Sequence, residues 1–204
     1  MQLFEFINRS PSDVFIVDIE TGFDGVVHEV GAVTLKGFVV VDTSVNYGMS
    51  LYDFYKLSQN DLSEDQQFRA FCTINKTYRP PNRSEMKGST LREILEYLMK
   101  AGMTADSIWV EHSFGNFDYK RSRKWRQLIL KHNLPLEQNV FSTLDLWRLL
   151  LPGLFSHQQS HLFSLLRLND PAISGKRHIS LPDTLMCREI LRVAIDQFNL
   201  SMNQ

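Results

Sequence analysis

FIVDIETG, residues 15–22, places two acids in a stretch that otherwise has the composition of a buried strand. Side chains on a β-strand alternate between its two faces, so Asp18 and Glu20 point to the same face. Two like charges side by side repel each other, and burial disfavours the ionised form of either group. The pattern therefore predicts a positively charged partner between the two carboxylates. A salt-bridged, exposed strand is the simpler alternative.

The segments on either side of this strand predict a mixed sheet. Residues 14–20, 29–35 and 38–45 have the patterns of three strands, and Lys36-Gly37 would form the hairpin turn between the last two. Two further strands are predicted at 107–112 and 139–143. The predicted helices cover residues 63–75, 90–102, 117–133, 145–151, 160–168 and 181–198. Three successive strands followed by alternating helices and strands indicate an α/β protein with helices packed on the sheet.

Length and composition predict one globular domain over residues 1–204. A chain of this length can bury a substantial core. Its content of 43% apolar and 22% charged residues is that of an ordinary globular protein. We find no linker and no internal repeat, and residues 48–87 are the hardest to assign.

Charge, hydropathy and cysteine content exclude several functional classes. The formal net charge is −1, so any contact with nucleic acid would come from a local basic patch. No run approaches the ~18 apolar residues of a membrane span, and the first residues do not resemble a secretory signal. Cys72 and Cys187 lie far apart and form no zinc-finger spacing. This pattern favours a reducing compartment, and we predict a cytoplasmic protein.

Two more acids and a histidine fall where predicted strands end or helices begin. Asp118 follows the strand at 107–112, Asp183 lies in the first turn of the last helix, and His178 precedes that helix. Each has a simpler interpretation: the acids as helix caps, with Ser180 as the cap of the last helix, and His178 as a surface residue. In an open α/β sheet such ends converge on one crevice. We therefore expect these residues to lie near Asp18 and Glu20.

A basic segment begins directly after Asp118. Residues 119–131 contain six cationic side chains and no acid: Lys120, Arg121, Arg123, Lys124, Arg126 and Lys131. The segment is typical either of a patch that guides a phosphate backbone or of a solvated helix face. His157 and His161 are four residues apart and are interpreted as structural, because the spacing supplies no further zinc ligands.

Three segments, FIVDIETG (15–22), EHSFGNFD (111–118) and HISLPD (178–183), resemble the motifs of the DEDDh 3′–5′ exonucleases. This group of the ribonuclease H-like superfamily includes proofreading exonucleases, ribonuclease T and oligoribonuclease. Asp18, Glu20 and Thr21 match the first motif, Asp118 the second, and His178 with Asp183 the third. The resemblance spans about residues 13–198. It departs from the family at residues 48–87 and at 112–117, where the loop before Asp118 is longer or altered.

The resemblance implies a ribonuclease H-like mixed five-stranded sheet flanked by helices and two divalent cations, Mg²⁺ or Mn²⁺. Asp18, Glu20, Asp118 and Asp183 would hold the cations, and His178 would act as general base. An all-carboxylate site independently favours hard cations of this kind. The residues implied in substrate binding are Thr21, Gly22, Phe23, Lys120, Arg121, Arg123 and Lys124. Phe23 would either stack on a base or pack in the core.

The function implied by the resemblance is removal of nucleoside monophosphates from the 3′ end of single-stranded DNA or RNA. One alternative is an inactive member of the fold that binds nucleic acid or a protein. Another is a nucleotide-processing hydrolase or an endonuclease that uses the same acids. The choice between DNA and RNA, the oligomeric state and a polymerase or other protein partner are all left open by the sequence.

Overall fold

A computed structural model describes residues 6, 8–21, 27–46, 88–121, 123–132, 134–135, 137–170, 173 and 179–197. For residues 121 and 123–125 only the backbone is described, and Ser122 is not described. The predicted helix at 63–75 lies outside the described residues, as do Gly22, Phe23 and His178. Expectations that concern those residues remain predictions.

The described part of the chain contains one mixed sheet of five strands, as the sequence predicts. The strands are β1 (Val14–Thr21), β2 (Val27–Thr34), β3 (Val39–Ser44), β4 (Ile108–Glu111) and β5 (Val140–Ser142). Their order across the sheet is β3-β2-β1-β4-β5. The first three strands pair antiparallel, whereas β4 pairs parallel with both β1 and β5. The carboxyl ends of β1, β4 and β5 therefore lie at the same edge of the sheet.

Six α-helices lie in the described residues. They are α1 (Leu91–Lys100), α2 (Phe117–Arg121), α3 (Arg123–Lys131), α4 (Thr143–Leu150), α5 (Gln159–Leu165) and α6 (Ser180–Gln197). The single helix predicted at 117–133 corresponds to α2 and α3, and residues 122 and 133 lie outside the described residues. None of these helices is both long enough and apolar enough to span a membrane.

A capping box starts α1, as the sequence Thr90-Leu-Arg-Glu93 indicates. The Thr90 side chain accepts the N–H of Glu93, and the Glu93 carboxylate accepts the N–H of Thr90 in return. Both bonds satisfy backbone donors that have no partner within the helix. The helix is thereby fixed at its start and buries Ile94, Leu95 and Leu98 against the sheet.

The central strand β1 is buried on both faces. Phe15 and Val17 belong to the apolar cluster that includes α1, whereas Val14 and Ile16 belong to the cluster formed with α6. Because side chains alternate along the strand, Asp18 continues the row of Val14 and Ile16. The acids of the first motif therefore lie on the face that α6 covers.

Gly31 lets the start of α6 lie directly on the sheet. It is opposite Asp18 in the register of β1 and β2. A Cβ at this position would lie 2.5 Å from the carbonyl carbon of Ser180 and 2.7 Å from the backbone nitrogen of Leu181. Only glycine allows so close an approach, and it brings the first turn of α6 beside the end of β1.

Candidate metal centre

Three carboxylates distant in sequence meet where β1 ends and α6 begins. Asp18, Glu20 and Asp183 each offer an oxygen, and these oxygens all lie within 4.8 Å of one another. The strand alternation places the first two on one face, and the contact at Gly31 brings Asp183 over them. The predicted convergence of the two motifs is therefore observed.

Asp118 is the fourth acid of the cluster. It is only 7% exposed and lies in α2, which begins shortly after β4 ends. Burial raises the pKa of Asp118 well above its ordinary value, and the charges of Glu111, Glu20 and Asp183 raise it further. Asp118 is not one of the three acids whose oxygens lie within 4.8 Å of one another. It is near enough for the charges of Glu20 and Asp183 to raise its pKa.

The Asp18 carboxylate lies in a field of negative charges. Burial raises the pKa of Asp18 well above its ordinary value, and Asp118, Glu20 and Asp183 add to the effect in that order. Its Oδ2 atom is buried, and no donor among the described residues reaches it. A buried carboxylate oxygen without a donor is costly, and a divalent cation is a ligand that would compensate it. The donor set therefore fits Mg²⁺ or Mn²⁺, and Asp18, whose Oδ2 is buried, is not the exposed, salt-bridged residue of the alternative.

Glu29 fixes the helix that carries Asp183, a role that the sequence analysis missed. Its Oε1 accepts the backbone N–H of Ser180 at 3.1 Å and the Ser180 hydroxyl at 3.0 Å. The prediction that Ser180 caps α6 is wrong, because Ser180 is the first helical residue and donates to Glu29 instead. Burial raises the pKa of Glu29, and the two hydrogen bonds from Ser180 oppose that rise.

Glu111 does the same for the helix that carries Asp118. It is fully buried, and its Oε2 accepts the backbone N–H of Tyr119 at 3.0 Å and the indole N–H of Trp109 at 3.2 Å. The Ser113 hydroxyl donates to its Oε1, and the N–H of Asp118 donates to the same carboxylate. Burial raises the pKa of Glu111 despite these bonds. The sequence signal that could have identified Glu111 is an acid directly after an apolar strand segment, the same signal that identified Asp18.

His112 links the end of β4 to the loop before α5. Its Nδ1 lies 2.7 Å from the Thr143 hydroxyl, and its Nε2 donates to the backbone carbonyl of His157 at 2.9 Å. His157 in turn donates through Nε2 to the carbonyl of Leu151 at 2.8 Å. The structural interpretation of His157 is therefore confirmed, and His112 has a structural role as well.

His112 is expected to stay neutral far into the acidic range. Burial lowers the pKa of His112 from 6.5 to about 4. Because the unfolded chain binds this proton more readily, the contribution of His112 to stability is lost as the pH falls from 6.5 towards 4. The whole shift corresponds to roughly 3 kcal/mol. An NMR titration, with the resonance assigned from His112→Gln, should show no change between pH 8 and 5. A midpoint near pH 6 would contradict the buried, neutral imidazole.

The basic segment has an acidic partner that the sequence did not reveal. Glu137 lies in a short 3-10 turn and pairs with Lys120 at 2.7 Å and with Arg126 at 3.0 Å. These two cations therefore belong in part to a solvated, ion-paired face. The side chains of Arg121, Arg123 and Lys124 are not among those described, so their role in substrate binding remains a prediction.

The remaining substrate-binding predictions concern the end of β1. Thr21 is the last residue of this strand and is partly buried, directly after Glu20. Gly22 and Phe23, as well as the general-base candidate His178, lie outside the described residues. Their assigned roles are carried into the proposal below as predictions.

A mixed sheet of this order, flanked by helices, is a ribonuclease H-like fold, and the four acids grouped around the end of its central strand fit a DEDD-type site. Two solved structures share the fold. Cell-death related nuclease 4 (CRN-4) is 15% identical, with a TM-score of 0.58 over 93% of this chain. S. pombe Pop2p in its Mg²⁺- and Mn²⁺-bound form is 13% identical, with a TM-score of 0.54 over 94% of this chain.

The similarity extends over only part of each solved structure. The chain spans 66% of the length of the CRN-4 chain and 86% of the Pop2p chain. No protein-family model and no curated protein sequence matches the chain. The relation to these two structures is therefore one of fold.

Proposed function

We propose that this protein is a metal-dependent 3′–5′ exonuclease that releases nucleoside monophosphates from the 3′ end of single-stranded DNA or RNA. The observation that carries the proposal is the buried Oδ2 of Asp18, which no donor among the described residues reaches, within a cluster of four acids. The fold supports it, because one structural neighbour is a nuclease and the other binds Mg²⁺ and Mn²⁺.

Two cations would share the four acids. Asp18, Glu20 and Asp183 would hold one, in agreement with the short distances between their oxygens. Asp18 and Asp118, the latter partly through water, would hold the other. A pair of divalent ions supplies an activated water and stabilises the charge that develops on a phosphodiester. The hydrogen bonds of Glu29 and Glu111 to the helix starts would keep Asp183 and Asp118 in place for this role.

The remaining chemistry is assigned to residues beside the cluster. His178 would take a proton from the attacking water, since imidazole titrates near neutral pH. It lies two residues before Ser180, whose position Glu29 fixes. Thr21 and Gly22 would let the backbone approach the terminal nucleotide, and Phe23 would stack on its base.

Replacing His178 with Ala is expected to lower the single-turnover cleavage rate by about 10²- to 10⁴-fold, the usual contribution of a general base. Metal affinity should change little, because imidazole is not assigned as a ligand. Calorimetric titration with Mn²⁺ and a single-turnover assay on the same preparation separate the two effects. An unchanged rate would show that another group takes the proton.

The proposal is tested with oligonucleotides labelled at either end and incubated with Mg²⁺ or Mn²⁺. A 3′-labelled strand should release its label as a mononucleotide, and a 5′-labelled strand should shorten one nucleotide at a time. Internal cuts would identify an endonuclease, and no cleavage would identify an inactive binding protein. Matched single-stranded DNA, duplex DNA and RNA then define the substrate. The Asp18→Asn variant, purified in parallel, controls for contaminating nucleases.

A further inference from the structure

Two exposed apolar side chains flank an arginine near the cluster. Phe114 is 72% exposed in the loop between β4 and α2, and Leu149 is 65% exposed in α4. Arg148, which precedes Leu149, places its guanidinium 5.4 Å from the centre of the Phe114 ring. We call Phe114, Arg148 and Leu149 the aromatic patch. Large exposed side chains grouped in this way mark interaction sites more often than isolated ones.

The aromatic patch lies at the same edge of the sheet as the four acids. Phe114 follows β4 by three residues, and α4 begins directly after β5. Both strands run parallel to β1, whose carboxyl end carries Asp18 and Glu20. Phe114 therefore lies beyond the carboxyl end of β4, the strand next to β1, and Arg148 reaches it from α4.

The loop that carries Phe114 is held from several directions. The carbonyl of Ser113 accepts the Ser142 hydroxyl at 2.7 Å, and the Ser113 hydroxyl accepts the N–H of Phe117 at 2.9 Å. Gly115 and Asn116 then turn the chain with φ values of 66° and 58°. These constraints set the direction of Phe114, so the ring is presented to solvent by the surrounding structure.

The chemistry of the patch suits single-stranded nucleic acid. An aromatic ring offers a stacking face to any base, and an adjacent arginine adds cation–π attraction and a charge for phosphate. The pairing of Arg148 with Asp145 is long, at 3.6 Å, and exposed, so it leaves the guanidinium accessible. An apolar protein segment could pack on Phe114 and Leu149, but its binding would also bury the charge of Arg148, which is unfavourable.

A cleft between the loop and α4 shares Leu149 with the patch. It has a volume of about 210 Å³ and is lined by Asn116, Val140, Phe141, Ser142, Asp145, Leu146 and Leu149. Pockets that enclose a drug-sized ligand measure about 300–1,000 Å³. The cleft is therefore large enough for one planar group that carries polar atoms at its own edge. It is too small for several nucleotides or residues of a ligand.

We propose that Phe114 and Arg148 form a stacking subsite for a nucleobase of the single-stranded substrate, on the 5′ side of the nucleotide that is cleaved. The inference rests on the proposed exonuclease function and adds a binding residue in the loop where the sequence departs from the family. Recognition through a ring face predicts little preference among the four bases.

The test compares Phe114→Ala with Phe114→Trp. Binding of fluorescein-labelled single strands to variants that also carry Asp18→Asn is measured by anisotropy, and KM and kcat are measured without that change. Phe114→Ala should weaken binding and raise KM by about 5- to 100-fold, the range of one base stacked on an aromatic ring. The kcat should stay within about twofold. Phe114→Trp should restore affinity, and its indole fluorescence should be quenched by the oligonucleotide.

Phe38→Ala is the matched control. Phe38 is 69% exposed, nearly as much as Phe114, but it lies just before β3. This strand is the outermost one on the other side of β1 from β4 and β5. Its replacement should leave KM unchanged, and both alanine variants should keep the wild-type melting temperature. The effect of Phe114→Ala should also be largest on longer strands and smallest on dinucleotides, a dependence that a folding defect would not produce.

The outcomes separate the inference from the function on which it rests. If the wild type shortens strands from the 3′ end and Phe114→Ala has the wild-type KM at every length, the subsite is overturned and the exonuclease stands. If no form binds or shortens oligonucleotides, both are overturned. Equal KM increases for Phe114→Ala and Phe38→Ala would likewise overturn the subsite, because they would show that the effect is not local.

Discussion

Replacing Asp18 with Asn should raise the melting temperature of the metal-free protein, remove its stabilisation by Mg²⁺ or Mn²⁺, and abolish cleavage. Asn has nearly the same shape but no charge, and its amide supplies a donor to the neighbouring carboxylates. The buried Oδ2 of Asp18, for which the described part of the chain supplies no donor, imposes a penalty of about 1–3 kcal/mol on the wild type. For a chain of this length, each kcal/mol corresponds to roughly 2–4 °C.

The direction of this effect follows from the pKa of Asp18. That pKa is raised in the folded protein, so the native state binds the proton more tightly than the unfolded chain. The contribution of the group to stability is then present below the unfolded pKa and lost as the pH rises through the folded value. Above its folded pKa the ionised Asp18 destabilises the metal-free protein, and removal of its charge relieves that penalty.

Metal binding should reverse the order of the two proteins. A cation at 100 times its dissociation constant stabilises the wild type by about 2.7 kcal/mol, whereas the variant lacks the ligand that both cations would share. Cleavage should fall by roughly 10³-fold or more, because Lewis-acid stabilisation of the transition state contributes several kcal/mol. Thermal melts with EDTA, Mg²⁺ and Mn²⁺, followed by the end-label assay, measure all three effects.

Asp106→Asn provides the control, since Asp106 is exposed in the turn before β4. This variant should melt as the wild type does, with and without metal. The carboxylate explanation would fail if Asp18→Asn destabilised the metal-free protein and still gained stability from Mg²⁺. Such a result would show that Asp18 is compensated by a group of the chain itself.

Gly31→Ala should damage stability and metal binding together. A methyl group at Gly31 would lie 2.5, 2.6 and 2.7 Å from three backbone atoms of Ser180 and Leu181, which cannot rotate away as a side chain can. Overpacking of this kind usually destabilises by about 1–3 kcal/mol. Relief requires the start of α6 to move off the sheet, and Asp183 would move with it. We therefore expect a lower melting temperature and a weaker response to Mg²⁺.

Gly153→Ala is the natural comparison, because no atom lies within 4 Å of a Cβ at that position. It should leave both the melting temperature and the metal response close to those of the wild type. If Gly31→Ala lost stability but kept the full metal response, the placement of Asp183 would not depend on this contact. Calorimetric titration with Mn²⁺ below the melting temperature distinguishes the two cases.

Two glutamates that bind no cation in the proposed arrangement hold the cluster in place. Glu29 receives donors from the start of α6, and Glu111 receives donors from the start of α2. Each satisfies backbone N–H groups that a helix leaves without internal partners. The acids of the second and third motifs are therefore positioned by carboxylates from neighbouring strands, not by their own helices alone.

The sequence by itself determined the features that depend on neighbouring residues. The alternation of β1 placed Asp18 and Glu20 on one face, and the box formed by Thr90 and Glu93 started α1 where predicted. The order of the three motifs, through their resemblance to a family, also indicated the five-stranded sheet that the structure contains. These signals are readable because periodicity and capping operate over two to four residues.

Only the tertiary structure decided which distant residues meet. Glu29 and Ser180 are 151 residues apart, so the apparent cap of α6 proved to be a donor to another strand. Glu137 likewise meets Lys120 across an intervening helix, and Arg148 meets Phe114 from a different element. No local pattern encodes such pairs, because they form only when the sheet has brought the ends of its strands and the starts of its helices to one edge.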